Sequence, residues 1–222
     1  MNSVELFFLD LGFSWTFSKL FPYLFSIVVG IILVLFYSKF FSSRLKNISR
    51  TYFLYRKKTV TLSLNFFLQF ILILIPFSIY FAYSPIYKGD FSNNSVEILK
   101  SEDEKELVSG KFFVLSIPGC PHCFNTIDKM IKIKKRIPNI EIEYVVCSND
   151  PETLRPYQDQ IPNIKLLGDY INVRLAENSE MISRLASGRF PSFALVQKNK
   201  IFKWSNDNFG VCAVDYIESI FN

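Results

Sequence analysis

Histidine and methionine are scarce in this chain of 222 residues, which contains one histidine and three methionines. Metal sites built from imidazole and thioether ligands therefore have few candidate residues, and this argues against copper handling. Cysteine is also sparse, with four residues in the chain. Four cysteines are too few for the dense disulfide framework of a small secreted scaffold. The sequence predicts no resident metal and no other cofactor.

Acidic residues are absent between Phe41 and Thr59, where six basic residues occur: Arg44, Lys46, Arg50, Arg56, Lys57 and Lys58. Apolar runs at about 20–40 and 60–83 flank this stretch, and each can cross the ~30 Å hydrocarbon layer as a helix. Short basic loops stay in the cytoplasm. The sequence therefore predicts a cytoplasmic loop at 41–59, with both chain ends on the oxidising side of the membrane.

Two domains are expected: a membrane anchor at 1–91 and a second domain at 92–222. We interpret the first apolar run as a retained anchor rather than a cleaved signal peptide. It begins far from Met1, follows Glu5 and Asp10, and is not followed by a small-residue cleavage site. The apolar segment Val4–Phe13 is expected either to lie along the outer membrane surface or to lead into the first span.

The basic excess is confined to the membrane half. The formal net charge is +5, yet from Phe91 onward 16 Lys and Arg face 17 Asp and Glu. A nucleic-acid-binding domain needs a basic face, so no nucleic-acid partner is expected. The lipid bilayer is the predicted partner of the N-terminal half, in keeping with a hydrophobic content of 50%.

Alternating strand and helix patterns predict an α/β domain. Strands are predicted at Ser95–Leu99, Lys111–Ile117, Ile140–Cys147, Ile164–Leu167, Phe193–Gln197 and Ile201–Trp204, and helices at Phe124–Arg136, Asp150–Gln160, Glu177–Ala186 and Val211–Phe221. The predicted fold class is therefore α/β, preceded by an all-α two-helix transmembrane hairpin.

Cys120-Pro121-His122-Cys123 lies where a predicted strand passes into a predicted helix. Unpaired N–H groups and the helix dipole favour negative charge there, which lowers the pKa of Cys120. His122 can add positive charge, and Pro121 fits the first helical turn. We therefore predict that Cys120 is a nucleophile and that Cys123, one turn later, resolves its mixed disulfides.

This arrangement resembles the active site of the thioredoxin superfamily, and the tetrapeptide is the one that DsbA-like proteins carry. The resemblance covers roughly residues 95–222 and implies a thioredoxin fold, which is a central mixed sheet flanked by helices. It also implies a cis-proline loop facing the cysteines, for which Phe190-Pro191-Ser192 stands in the expected place before the hairpin. Phe190 would then offer backbone hydrogen bonds to an extended substrate beside Pro191, and Gly210 matches a family glycine.

Two features depart from this family pattern. Val114 stands six residues before Cys120, where many family members carry a buried acid, so another group or water must assist Cys123. The segment between Cys147 and Pro191 is too short for the helical domain of DsbA. The chain is therefore more similar to compact, membrane-tethered thioredoxin-like proteins.

The resemblance implies a thiol–disulfide oxidoreductase in the bacterial inner membrane, with its N-terminus and thioredoxin-like domain facing the periplasm. Its partners would be protein thiols and disulfides and a membrane redox partner that re-oxidises or reduces the Cys pair. The histidine favours an oxidant. Three alternatives stay open: a thiol reductase, for example in cytochrome c maturation, a copper-handling module, and a scaffold subunit of a membrane complex. Cys147 and Cys212 are expected to be small buried side chains rather than zinc ligands or a bridge.

Overall fold

A computed structural model describes residues 1–40, 58–92, 97–100, 106–161, 171–197 and 200–221. Most of the predicted basic loop and the predicted strand at Ile164–Leu167 lie outside these residues. The chain divides into two compact units, Met1–Tyr87 and Lys88–Asn222.

The first unit contains three described helices: α1 (Ser3–Asp10), α2 (Trp15–Phe40) and α3 (Lys58–Tyr83). Helix α2 begins at Trp15, earlier than the predicted start near residue 20. By length and composition, α2 and the part of α3 from Asn65 to Tyr83 can each cross a membrane. Both present large apolar side chains on their exposed faces, such as Phe25 and Phe66. Such faces suit a lipid environment better than water.

Helices α2 and α3 pack closely through small residues of α2. Ser18, Pro22, Ser26 and Gly30 are spaced four apart and buried, so they share one face of the helix. A Cβ on Gly30 would lie 2.8 Å from the Cα of Ile73 in α3. The missing side chain therefore allows the two backbones to approach, as is common between membrane helices.

A buried acidic residue anchors α1. The Glu5 carboxylate lies 3.3 Å from Lys19 Nζ of α2 and accepts hydrogen bonds from Ser84 Oγ at 2.6 Å and from the Asn2 N–H at 2.9 Å. Its side chain is fully buried. The segment predicted to lie on the membrane surface or to lead into the span is thus a separate helix, held to α2 and to the end of α3 by charge and hydrogen bonds.

The second unit is built on a six-stranded sheet in the order β1-β6-β5-β2-β3-β4. The strands are β1 (Glu97–Lys100), β2 (Lys111–Ser116), β3 (Glu141–Val146), β4 (Ile171–Leu175), β5 (Ser192–Gln197) and β6 (Lys200–Ser205). The helices are α4 (Pro121–Asn125), α5 (Ile127–Arg136), α6 (Arg155–Gln160), α7 (Ser179–Leu185) and α8 (Val211–Phe221). Short 3₁₀ turns occur at Pro151–Leu154 and Asn206–Asn208.

Strands β2, β3 and β4 run parallel, whereas β5 is antiparallel to β2 and forms a hairpin with β6. The central order β3-β2-β5-β6 is that of the thioredoxin fold, so the predicted mixed sheet is confirmed. Strand β4 was not predicted at its observed position. It is an edge strand whose five residues alternate between apolar and polar side chains, a weaker signal than the buried central strands provide.

The core lies on both sides of β2, where Phe112 to Ser116 are all buried. On one side, the rings of Phe112, Phe193 and Phe209 stack, with centroid distances of 5.6 Å (Phe112–Phe209) and 3.9 Å (Phe193–Phe209). A central strand covered on both faces is expected to be apolar throughout. This explains why β2 was predictable as a continuous hydrophobic run.

Part of the segment predicted as a linker packs against the second unit, to which it belongs. Gly89 and Gly210 pack so closely that a Cβ on Gly210 would overlap the Gly89 carbonyl oxygen and the Asp90 Cα. The backbone N–H of Cys212 donates to the Asp90 carbonyl at 3.2 Å. The stretch Ser84–Asn94, predicted as a linker, therefore contains a segment that packs against the start of α8.

Candidate active site

The cysteine motif begins where β2 ends. After Ser116 the chain turns through Ile117–Gly119, and Gly119 adopts a φ of +66°, a conformation that favours glycine. Cys120 then caps α4 in an extended conformation, and Pro121 occupies the first helical position. The predicted helix is interrupted at Thr126, which separates α4 from α5.

Cys120 and Cys123 form a disulfide with a Cα–Cα distance of 5.3 Å. The N–H of Cys123 donates to Cys120 Sγ at 3.2 Å. Cys120 is 9% exposed and Cys123 is fully buried. Because a backbone donor and a helix N-terminus both face the more accessible sulfur, a negative charge is favoured there.

Pro121 and His122 lie in the first turn of α4, and both are exposed. The structure therefore places all four motif residues in a single turn. A charge on an exposed imidazole acts on Cys120 largely through solvent, which weakens it. The N–H bond to Sγ is the more direct influence on the Cys120 thiolate.

The Phe190–Pro191 peptide bond is cis. Strand β5 starts at Ser192, which pairs with Leu115 of β2, so Pro191 lies at the end of β2 from which the cysteine turn departs. Pro191 is buried and Phe190 is partly buried. The sheet register thus brings the predicted proline loop to the same edge of the sheet as the Cys pair.

Val114 occupies the position at which many family members carry a buried acid. Its side chain is fully buried, and its partners in the neighbouring strands are Tyr144 and Phe193. The position is therefore part of the apolar core. Proton transfer from Cys123 must use water or a group elsewhere.

Three residues around the motif were not predicted from the sequence, and one of them, Thr126, contacts a motif residue directly. Thr126 Oγ1 donates to the Cys123 carbonyl at 2.6 Å and lies 3.0 Å from Tyr144 Oη. Tyr157 Oη donates to the Ile117 carbonyl at 2.9 Å. Burial raises the pKa of both tyrosines, so their hydroxyls act as hydrogen-bond donors. The Thr126 contact follows a local spacing, a hydroxyl that donates to the carbonyl three residues earlier. No spacing rule relates the two tyrosines to the cysteines, because only the fold brings β3 and α6 to the motif.

Neither Cys147 nor Cys212 takes part in a disulfide. Cys147 follows β3, and its N–H donates to the Ser116 carbonyl at 2.8 Å, so it lies at the edge that carries the motif. Burial, with a smaller contribution from Glu106, raises its pKa to about 11. Cys212 lies in the first turn of α8. Among the residues that the structure describes, no three Cys, His, Asp or Glu side chains are grouped to hold a metal ion.

The strand order and the Cys120–Cys123 pair define a thioredoxin-fold protein with a Cys-x-x-Cys disulfide. No protein-family model and no curated protein matches the chain. Solved structures do match the chain.

A secreted Mycobacterium tuberculosis disulfide oxidoreductase, described as homologous to E. coli DsbE, is 13% identical, with a TM-score of 0.34 over 50% of this chain and 80% of its own. The thioredoxin domain of a Bacteroides vulgatus thiol-disulfide oxidoreductase is 18% identical, with a TM-score of 0.35 over 60% and 100%. A thioredoxin-like protein from Bacteroides caccae is 13% identical, with a TM-score of 0.34 over 68% and 62%. The class assignment rests on the strand order and the cysteine pair.

Proposed function

We propose that this chain is a membrane-anchored thiol–disulfide oxidoreductase that exchanges disulfides with extracytoplasmic proteins through Cys120 and Cys123. The observation that carries the proposal is the environment of the Cys120–Cys123 disulfide. Cys120 Sγ is the more exposed sulfur, caps α4 and accepts the Cys123 N–H, within a closed disulfide. This is the environment that makes a cysteine a good leaving group and nucleophile.

In the oxidising direction, a client thiolate attacks Cys120 Sγ. The Cys120–Cys123 bond breaks, Cys123 leaves as a thiolate, and a mixed disulfide joins the client to Cys120. A second client thiolate then attacks the client sulfur, and Cys120 leaves as a thiolate. The client loses two electrons and gains a disulfide, while the protein holds a dithiol. Stabilising the Cys120 thiolate favours this direction.

The Phe190–Pro191 loop supports client binding at the same edge of the sheet. Strand β5 begins directly after it and pairs with β2, so the Phe190 backbone extends the sheet toward the cysteine turn. An extended client segment can pair with such a backbone by strand addition. His122, exposed beside Cys120, adds positive charge when protonated and favours the thiolate further.

The two long apolar helices support anchoring in a bacterial inner membrane. The basic residues between them favour a cytoplasmic loop, so both chain ends would face the periplasm. An oxidant in that position needs a membrane partner that accepts electrons from the Cys120–Cys123 dithiol. A reductase would need a partner that supplies them.

Trapping in cells tests the proposal. The Cys123→Ser variant cannot resolve mixed disulfides, so it should accumulate client adducts that dithiothreitol removes. The Cys120→Ser variant is the matched control and should form none. Absence of adducts with Cys123→Ser would contradict thiol exchange and leave the scaffold role. Acid-quenched thiol labelling of the wild type then decides direction, since a resting disulfide supports the oxidant and a resting dithiol supports the reductase.

A further inference from the structure

Two hydrogen bonds connect strand β3 to the backbone of Cys123. Thr126 Oγ1 donates to the Cys123 carbonyl oxygen at 2.6 Å, and Tyr144 Oη lies 3.0 Å from Thr126 Oγ1. A threonine hydroxyl has one proton, so Tyr144 must donate to Thr126. The direction of the chain is therefore set: Tyr144 to Thr126 to Cys123. All three residues are buried.

This contact lies at the weak point of the motif helix. Helix α4 has only five residues and ends at Asn125, and α5 starts at Ile127. So short a helix has little stability of its own. Thr126 stands between the two helices, and its N–H also contacts the Cys123 carbonyl, at 3.2 Å. The placement of Cys123 therefore depends on what holds Thr126.

Tyr144 is a firm attachment point. It lies in β3, which is paired on one side with β2 and on the other with β4. Its ring is fully buried and lies 5.9 Å from the ring of Tyr157. A hydroxyl carried by an inner strand can fix a loop more precisely than one carried by another loop.

We infer that Thr126 and Tyr144 are positioning residues for Cys123, a role that rests on the thiol exchange proposed above. In a mixed disulfide between Cys120 and a client, the Cys123 thiol loses its proton to water and its thiolate attacks Cys120 Sγ. The Cys120–Cys123 bond forms, the bond to the client breaks, and the client sulfur leaves as a thiolate. The rate of this ring closure depends on how well Cys123 is held in reach of Cys120.

Of the two hydrogen bonds, the one that reaches Cys123 is accepted by its carbonyl oxygen, and neither involves a sulfur. They therefore govern where Cys123 lies rather than how readily it ionises. The initial attack by Cys120 uses Cys123 only through the backbone N–H that donates to Cys120 Sγ, whereas ring closure uses the Cys123 sulfur itself. Loss of either hydrogen bond should therefore slow ring closure more than attack. Separating attack from ring closure is thus the informative measurement.

The experiment uses the reduced full-length chain in detergent and a substoichiometric amount of the aromatic disulfide dithiobis-nitrobenzoate. Attack by Cys120 releases one thionitrobenzoate, and ring closure releases a second, so absorbance records both steps. The variants are Thr126→Val, Thr126→Ser and Tyr144→Phe. Tyr216→Phe is the matched control, because Tyr216 is an exposed tyrosine on α8.

We expect ring closure to slow roughly five- to tenfold in Thr126→Val and Tyr144→Phe, about the effect of one buried hydrogen bond. Attack should slow less than ring closure in both variants. Thr126→Ser keeps the hydroxyl and should close at the wild-type rate, as should Tyr216→Phe.

Wild-type closure rates in both hydroxyl-deletion variants would overturn the inference, as would equal slowing of attack and closure. If one variant fails to fold by near-ultraviolet circular dichroism, the other decides. A wild-type chain that never releases the second thionitrobenzoate would instead contradict the proposed exchange itself.

Discussion

Cys120 and Cys147 approach the same edge of the sheet, but their surroundings favour opposite protonation states. Cys120 caps α4 and accepts a backbone N–H. Cys147 is partly buried near Glu106, and its pKa is raised to about 11. Thiolate reactivity depends on such local differences. One thiol is therefore suited to exchange, while the other is protected from it.

Alkylation of Cys147 should be slow at pH 8 in the folded, reduced chain. A pKa of about 11 instead of 9.0 lowers its thiolate population about 100-fold relative to the unfolded chain. Iodoacetamide labelling, followed by mass spectrometry of the Cys147 peptide, measures this against a urea-unfolded reference. The rate should rise as pH approaches 11. Equal labelling of folded and unfolded chains at pH 8 would contradict the burial argument.

The same pKa shift has a consequence for stability. Between about pH 9 and 11 the folded thiol keeps a proton that the unfolded thiol releases. The stabilising contribution is therefore fully present below about pH 9 and is lost as the pH rises toward 11.

Among the elements, the short helix α1 is held in place by a buried ion pair. Its eight residues form an N-terminal capping box between Asn2 and Glu5, yet the Glu5 carboxylate is also buried against Lys19. A buried ion pair adds little net stability to the folded state compared with apolar packing. Removing one of its two partners, however, leaves the other charge buried and less well compensated. The position of α1 thus depends on both residues.

Lys19→Met should destabilise the first unit by up to about 3 kcal/mol, because it removes the nearer cation of the buried Glu5 carboxylate, at 3.3 Å, and leaves the Met1 ammonium at 4.0 Å. The double variant Glu5→Gln with Lys19→Met should recover part of that loss. Trp15 is buried in the same unit. Its fluorescence, measured on the full chain in mixed micelles and in a Trp204→Phe background, therefore reports unfolding of that unit. Lys39→Met, an exposed lysine near the other end of α2, is the control. Unfolding midpoints equal to the control would argue against the ion pair.

The two units of the molecule carry surfaces suited to different solvents. The long helices of the first unit expose phenylalanine, leucine and isoleucine side chains. The chain from Phe91 onward is nearly neutral, with its apolar residues concentrated in the sheet core. This division agrees with the membrane anchor and the redox domain that we propose.

Membrane orientation is testable with single cysteines in a background lacking the four native ones. Lys88→Cys should react with an impermeant maleimide in cells whose outer membrane is permeable. Lys46→Cys, in the basic loop, should react only after the inner membrane is broken, because positive loops remain in the cytoplasm. The reverse pattern would place the Cys120–Cys123 pair in the cytoplasm and contradict the proposed extracytoplasmic clients.

Local signals determined much of this protein. Apolar runs predicted β2, β5 and the two long helices, because an element that is covered on both faces, or that is suited to lipid, has few polar positions. The Cys-x-x-Cys spacing and its place between strand and helix determined the disulfide pair. These features depend on residues that are close in sequence.

Tertiary structure decided the features that depend on distant residues. Strand β4 exists because β3 offers it an edge, and Tyr144 reaches the Thr126 hydroxyl only once β3 is paired with β2. Glu5 becomes a buried ion partner rather than a surface acid because α1 folds back onto Lys19. Burial and hydrogen-bond partners are set by packing between elements, and no local spacing in a single chain encodes which elements will touch.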